Sequence, residues 1–170
     1  MGADVVTRWA SELPEGARVL DIGAGTGFPV TEALAAAGLD AHAIDASPRM
    51  VDRFRERLPG VPIACEDVRT SVLFGLRFEG IVAVGLIFLL TDRDQADLIA
   101  RLSAALVPGG RLLLSAPHET GQWEDVLTGL PSRSLGEATY RELLRQAGFG
   151  WIDSLTDSGG NHHYSAVLGP

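Results

Sequence analysis

Residues 19–30 read Val-Leu-Asp-Ile-Gly-Ala-Gly-Thr-Gly-Phe-Pro-Val, and this stretch decides the fold. An apolar run carrying Asp21 breaks into glycines at 23, 25 and 27, then resumes after Pro29. That order reads as a buried strand, a tight turn and a helix. Glycines at such a turn adopt positive φ and let the backbone approach a ligand closely. In an open parallel sheet, ligands bind beyond the carboxyl ends of the strands, where the chain reverses direction across the sheet.

Working outward, apolar strands and amphipathic helices alternate, the pattern of a parallel sheet covered on both faces. A first helix is predicted over Asp4 to Glu12 and a strand over Arg18 to Ile22. The helix after the glycines runs from Pro29 to Ala37, with proline in its first turn and Gly38 as its stop. Asp40 to Ile44 is the second strand, and Ser47-Pro48 caps and opens the next helix. Val61 to Cys65 and Gly80 to Val84 are strands, and a helix from Asp92 to Leu106 is capped by Thr91. Val107-Pro108-Gly109-Gly110 turns into a fifth strand, Arg111 to Ser115. A helix from Glu137 to Ala147 precedes two apolar stretches, Phe149 to Leu155 and Tyr164 to Leu168. Too few residues separate these two for a crossover helix, so they pair as an antiparallel hairpin. The expectation is one α/β domain over residues 1–170.

Composition narrows the function classes. Net charge is −8, from 22 acidic and 14 basic residues, the reverse of what phosphate neutralisation asks of a nucleic-acid binder. The one dense basic group, Arg49, Arg53, Arg55 and Arg57, is interleaved with Asp52 and Glu56, which reads as a solvated helix face. Ile81 to Leu90 is too short to span a bilayer. The charged start, MGADVVTRWASEL, reads as no signal peptide. One cysteine, Cys65, leaves no internal disulfide and no thiolate zinc cluster; it reads as packing in the third strand. A cytoplasmic protein without nucleic-acid or membrane partners is expected, its oligomeric state open.

Two ligand classes suit the glycine turn. A dinucleotide asks for G-x-G-x-x-G with its pyrophosphate on the helix N-terminus. Here Phe28 stands at the third glycine, where it would obstruct helix-to-strand packing, and Asp21 would repel the pyrophosphate. A cationic ligand turns that carboxylate into an asset. An NAD(P)-binding Rossmann enzyme is therefore the weaker reading.

Here the chain resembles the class I S-adenosylmethionine-dependent methyltransferases of small-molecule type. The resemblance rests on D-x-G-x-G-x-G at Asp21 to Gly27, Ala-Ile-Asp-Ala-Ser at 43–47, Glu66-Asp67-Val68 after the third strand, and Leu106 to Arg111 before the fifth. It covers residues 17–117 in the family's order. It implies a Rossmann-like, doubly wound sheet of about seven mostly parallel strands in the order 3-2-1-4-5-7-6, with an antiparallel C-terminal strand. It further implies S-adenosyl-L-methionine as methyl donor and S-adenosyl-L-homocysteine as product. Asp21 would hold the ammonium, directly or through water, and Gly23, Ala24, Gly25 and Gly27 would line the methionine portion. Asp45 would accept from the ribose hydroxyls, since a carboxylate can take both. Glu66, Asp67 and the Val68 N–H would meet the adenine, with Ala46, Met50, Gly85 and Leu86 as walls. A non-catalytic S-adenosylmethionine or S-adenosylhomocysteine binder is the rival reading.

The acceptor is less legible. Gly85-Leu86-Ile87-Phe88 after the fourth strand lacks the Asn/Asp-Pro-Pro-Tyr/Phe run of enzymes that methylate exocyclic amines of bases, and no cysteine sits there for cytosine C5 chemistry. A small-molecule pocket is expected from the N-terminal helix, the segment Pro117 to Gly136 and the final hairpin loop, with Trp9, Trp123 and Tyr140 as candidate walls. His118 follows the fifth strand, and His162 and His163 begin the last, which starts at the same edge. These three are the candidate bases or acceptor-positioning residues; no metal is expected. His42, within a strand, reads as structural.

Overall fold

The computed structural model describes residues 2–170, in the element order α1 (Ala3–Ala10), β1 (Arg18–Ile22), α2 (Val30–Ala36), β2 (Asp40–Asp45), α3 (Pro48–Arg57), β3 (Ile63–Cys65), β4 (Phe78–Ala83), α4 (Asp92–Ala105), β5 (Leu106–Ser115), β6 (Thr120–Glu124), β7 (Pro131–Leu135), α5 (Glu137–Gln146), β8 (Phe149–Thr156) and β9 (His162–Leu168). Seven strands form one sheet in the order β3-β2-β1-β4-β5-β9-β8. β1 is parallel to both β2 and β4, and β9 runs antiparallel to β5 and β8. With the inserted β6–β7 pair set aside, this is the order 3-2-1-4-5-7-6 that the resemblance implies.

Strand alternation distributes side chains to two cores. Leu20, Ile81, Leu112 and Leu114 pack toward α4 and α5, against Leu98, Leu102, Tyr140 and Leu144. Val19, Val82 and Leu113 point the other way, toward Val6 and Trp9 of α1 and Leu34 of α2. Both faces are therefore buried, which is why the central strands read as continuous apolar runs. Caps sit where the hydroxyls predicted: Ser47 Oγ accepts from Met50 N at 3.4 Å and Thr91 Oγ1 from Asp94 N at 3.2 Å. On α3 only Val51 and Phe54 are buried, so its arginines form the solvated face the charge pattern predicts. His42 is buried and edge-on to Phe74 and Phe78, at 5.2 and 5.9 Å between ring centroids. No helix of the described residues is long and apolar enough to cross a membrane.

The differences from expectation have local causes. Residues Thr120–Glu124 and Pro131–Leu135 pair as a separate two-stranded antiparallel sheet, β6–β7. Their sequences, Thr-Gly-Gln-Trp-Glu and Pro-Ser-Arg-Ser-Leu, carry no apolar alternation because most of the hairpin lies open to solvent. β5 begins at Leu106 instead of Arg111: Leu106 pairs with Phe78, and the Pro-Gly-Gly turn bulges out before Arg111 pairs with Gly80. Pro29 is the N-cap of α2 and not a first-turn residue. Cys65 is exposed, not packed. Trp9 is buried in the core, where a Cβ on Gly80 would come within 2.7 Å of its ring, and Tyr140 is buried with its hydroxyl donating to Gln95 Oε1 at 2.8 Å. Neither lines a ligand pocket at the carboxyl edge.

Candidate functional site

The glycine turn is clamped to the end of β2. Gly23 N and Ala24 N both donate to Ile44 O, at 2.8 and 3.1 Å. Gly23, Gly25 and Gly27 hold φ of +72°, +58° and +82°, angles that residues with a Cβ rarely adopt. Gly27 has a second reason: a Cβ there would lie 2.7 Å from Leu58 and 2.9 Å from the Phe54 ring. The close packing thus falls on Gly27. The Phe28 ring stands outward beneath the Arg57 guanidinium, 5.3 Å from its centroid, so the steric objection to a dinucleotide does not hold and only the charge objection remains.

That charge sits deep. Asp21 is 2% exposed, and its Oδ2 accepts from the Thr31 hydroxyl at 2.6 Å. Burial pushes its carboxyl up to about 7, against the Thr31 bond and with help from the nearby Asp45 charge. Asp45, at the end of β2, accepts from Gly25 N on Oδ2 and from Ser47 N on Oδ1, both at 2.8 Å. These bonds fix the carboxylate and leave each oxygen a further lone pair for a ligand.

A cavity of about 240 Å³ opens above Asp21, bounded by Gly23, Gly25, Gly85 and Phe88, and roofed by Leu127 and Thr128 from the turn of the β6–β7 hairpin. A Cβ added to Gly25 would meet nothing within 4 Å, whereas one on Gly23 would strike Leu86 at 3.1 Å. A buried carboxylate that burial leaves poorly ionised, under bare backbone, fits a ligand bringing a positive charge.

Beyond β3 the picture is mixed. Val68 is buried, its carbonyl accepting from Arg101. Glu66 accepts from the Ser71 hydroxyl at 2.5 Å. Asp67 is clasped by the Arg69 guanidinium through both oxygens, and Oδ1 also accepts from Arg69 N at 2.9 Å, the geometry of a turn residue. Ala46 is exposed and Met50 half-buried on the first turn of α3.

A second cavity, about 320 Å³, lies at the same edge, lined by Ser115, Trp123, Asn161 and His162 and sharing Phe88 and Asp125 with the first. The Phe88 and Trp123 rings are 5.6 Å apart. Ser115 Oγ accepts from Gly85 N at 2.7 Å, tying the ends of β4 and β5 together beneath both cavities. Of the three walls expected from sequence, only Trp123 is in place; the hairpin segment and the β8–β9 loop contribute as expected, and α1 does not.

The histidines divide. His162 lines the second cavity, with Nδ1 3.4 Å from Thr156 Oγ1. The His118 ring packs edge-on to it at 4.1 Å between centroids. His163 faces the opposite side of β9, as strand alternation requires. It is fully buried, with Nε2 3.2 Å from Asp157 Oδ2 and a ring carbon 3.3 Å from where a Gly2 Cβ would lie. His163 is therefore not an acceptor-facing base. Its partner Asp157 also accepts from Gly2 N and Asn161 N, each at 2.8 Å. Burial opposes ionisation of Asp157, yet the hydrogen bonds from Asn161, His163 and Gly2 hold its carboxyl well below the usual range.

Thr31, Phe88, Ser115 and Asp125 escape a reading of sequence alone. Thr31 carries no pattern that links it to Asp21, and Asp125 lies on a hairpin without strand periodicity.

The profile of the methyltransferase domain family matches residues 19–110, the span from β1 to the turn before Arg111. The chain is 38% identical over 107 residues to trans-aconitate 2-methyltransferase of Variovorax paradoxus (strain S110), covering 62% of this chain and 40% of that protein. It thus spans less than half the length of this curated relative. A solved amino pentose methyltransferase from Micromonospora echinaspora, with S-adenosylmethionine bound, superposes with a TM-score of 0.77 at 22% identity, over 98% of this chain and 89% of that one. An S-adenosylmethionine-dependent methyltransferase from Clostridium acetobutylicum ATCC 824 gives 0.80 at 15%, over 99% and 91%. At these identities the structural likeness is one of fold. The matched profile, which includes the glycine turn and Asp45, carries the assignment: the chain belongs to the methyltransferase domain family.

Proposed function

We propose that this chain is a methyltransferase that uses S-adenosylmethionine to methylate a small molecule, residues 2–170 working as one catalytic unit. The observation that carries the reading is the pair of adjoining cavities, one built on the glycine turn over Asp21 and the other on His162, with Phe88 and Asp125 between them. When bound, S-adenosylmethionine supplies an electrophilic methyl group. Asp21 faces its ammonium, the bare backbone at Gly23, Ala24 and Gly25 runs beside the methionine portion, and Asp45 receives the ribose hydroxyls. Glu66 to Val68, with Met50 and Leu86, border the adenine end; there Asp67 must exchange Arg69 for the adenine amino group. Gly85, fixed by Ser115, sits at the junction. His162 receives the acceptor's proton, supported by the ring of His118. Alignment and exclusion of water by the hairpin do the rest.

Two cavities of this size suit a metabolite and not a macromolecule. The net charge of −8 disfavours a nucleic-acid acceptor, and a lone exposed cysteine suits the reducing cytoplasm.

Calorimetry with S-adenosylhomocysteine tests the donor site. Asp45→Ala should weaken binding by about 1–3 kcal/mol, since ribose contacts and the Gly25 anchor are lost together. Binding of NAD in place of S-adenosylhomocysteine would sink the reading. Binding without transfer of labelled methyl to any acceptor in a metabolite mixture would leave a nucleoside-binding protein.

A further inference from the structure

We infer that the acceptor is an amine, held as its ammonium by Asp125 beside the packed ring pair of Phe88 and Trp123. The inference rests on the methyltransferase reading above and names the class of its second substrate. Asp125 is the charged residue common to both cavities, and among the described residues no arginine lines either one. The three hydrogen bonds that Asp125 accepts, from Leu127 N, Thr128 N and the Thr128 hydroxyl, all fall on Oδ2. They fix the carboxylate and leave Oδ1 to a ligand. The Thr128 hydroxyl bond also keeps this carboxyl below the usual range, so it is charged at neutral pH. Aromatic rings lining the same cavity as an anion form a site for an organic cation, and one hostile to a carboxylate acceptor, which would meet Asp125 with no arginine as countercharge.

The proton and electron balance closes within the cavity. The docked ammonium gives a proton to His162 Nε2, since Nδ1 faces Thr156. The freed nitrogen lone pair forms the bond to the methyl carbon as the carbon–sulfur pair returns to sulfur. His162 then releases its proton to water.

The test uses the intact chain saturated with S-adenosylhomocysteine and three probes on one ring: benzylamine, benzyl alcohol and benzoate. Calorimetry at pH 7.5 should find benzylamine bound at least about tenfold tighter than the other two, the scale of a hydrogen bond to a charged group. Asp125→Asn, which keeps an oxygen for the hairpin turn, should erase that preference while S-adenosylhomocysteine still binds. Trp123→Ala keeps the charge and should weaken benzylamine several-fold by removing one aromatic face. Equal binding of amine and alcohol, tighter binding of benzoate, or no benzylamine heat from protein that binds S-adenosylhomocysteine would each overturn the amine assignment. So would an Asp125→Asn protein that loses S-adenosylhomocysteine and keeps the amine preference, because Asp125 would then serve the donor. Failure of the wild type to bind S-adenosylhomocysteine would instead strike the methyltransferase reading itself.

Discussion

Asp21 holds its proton to about pH 7 in the folded state, whereas an aspartate in an unfolded chain loses it near pH 3.9. Between those values the folded protein binds more protons, so this group lowers stability as pH rises, and its effect is flat above about 7. Thermal melts of ligand-free protein across pH 5–8 should show that decline, and Asp21→Asn should flatten it; identical profiles would mean that the carboxylate is already ionised. A cation beside Asp21 favours its charged form and expels the proton. Affinity for S-adenosylhomocysteine should therefore rise between pH 6 and 8, by up to about tenfold per unit below the carboxyl's pKa, and Asp21→Asn should bind weakly at every pH. The histidines make a second contrast. His162→Gln should cut turnover roughly 10²–10⁴-fold with donor binding intact. His163→Gln, buried against Asp157, should instead lower stability by about 1–3 kcal/mol, read as an earlier denaturant midpoint. Equal effects of the two on turnover would refute the division between them.

At the scale of elements, what could be read in the sequence follows burial. β1, β2 and β4 are packed on both faces, so their apolar runs announce them, and Ser47 and Thr91 mark helix starts because orphan N–H groups need an acceptor. The bounds of β5 were less legible: Leu106 reads as the last residue of α4, and only pairing with Phe78 recruits it into the sheet. The β6–β7 hairpin was invisible for a physical reason. β6 lies mostly in water, and the buried positions of β7 are filled by Ser132 and Ser134, so no apolar period marks either strand. The hairpin's separateness gives a test. Replacing residues 121–134 by a short glycine-serine link should leave the seven-stranded sheet folded, judged by unchanged helix content in circular dichroism and a cooperative thermal melt. The same change should abolish acceptor binding and loosen the donor by removing Leu127 and Thr128 from its roof. Full donor affinity after excision would show that the roof is open in solution.

Across the whole molecule, the cavity over Asp21 takes its floor from positions 21–30 and 84–88 and its roof from 125–128, while the second cavity draws on 88–162; the sequence motifs fall almost entirely before position 88. Asp21, Asp45 and the glycines were legible because, on the proposed reading, a fixed donor would demand fixed chemistry at fixed spacing. Asp125 and Ser115 were not, since their roles arise only when distant segments meet. Asp157 is the extreme case, joining Gly2 to the β8–β9 loop across 155 positions. Its carboxyl is depressed in the fold, so its stabilisation is present above the unfolded pKa near 3.9 and is lost as pH falls below it. Asp157→Ala should narrow the gap in stability between pH 7 and pH 3 and lower the neutral-pH melting temperature. An unchanged melt would remove Asp157 as the tie. The β6–β7 pair, finally, contributes no strand to the main sheet. The hairpin can therefore be rewritten without breaking the seven-stranded sheet, while its turn still covers the cavity over Asp21. On the proposed reading, grafting another family member's hairpin here is a route to a different acceptor that leaves the sheet intact.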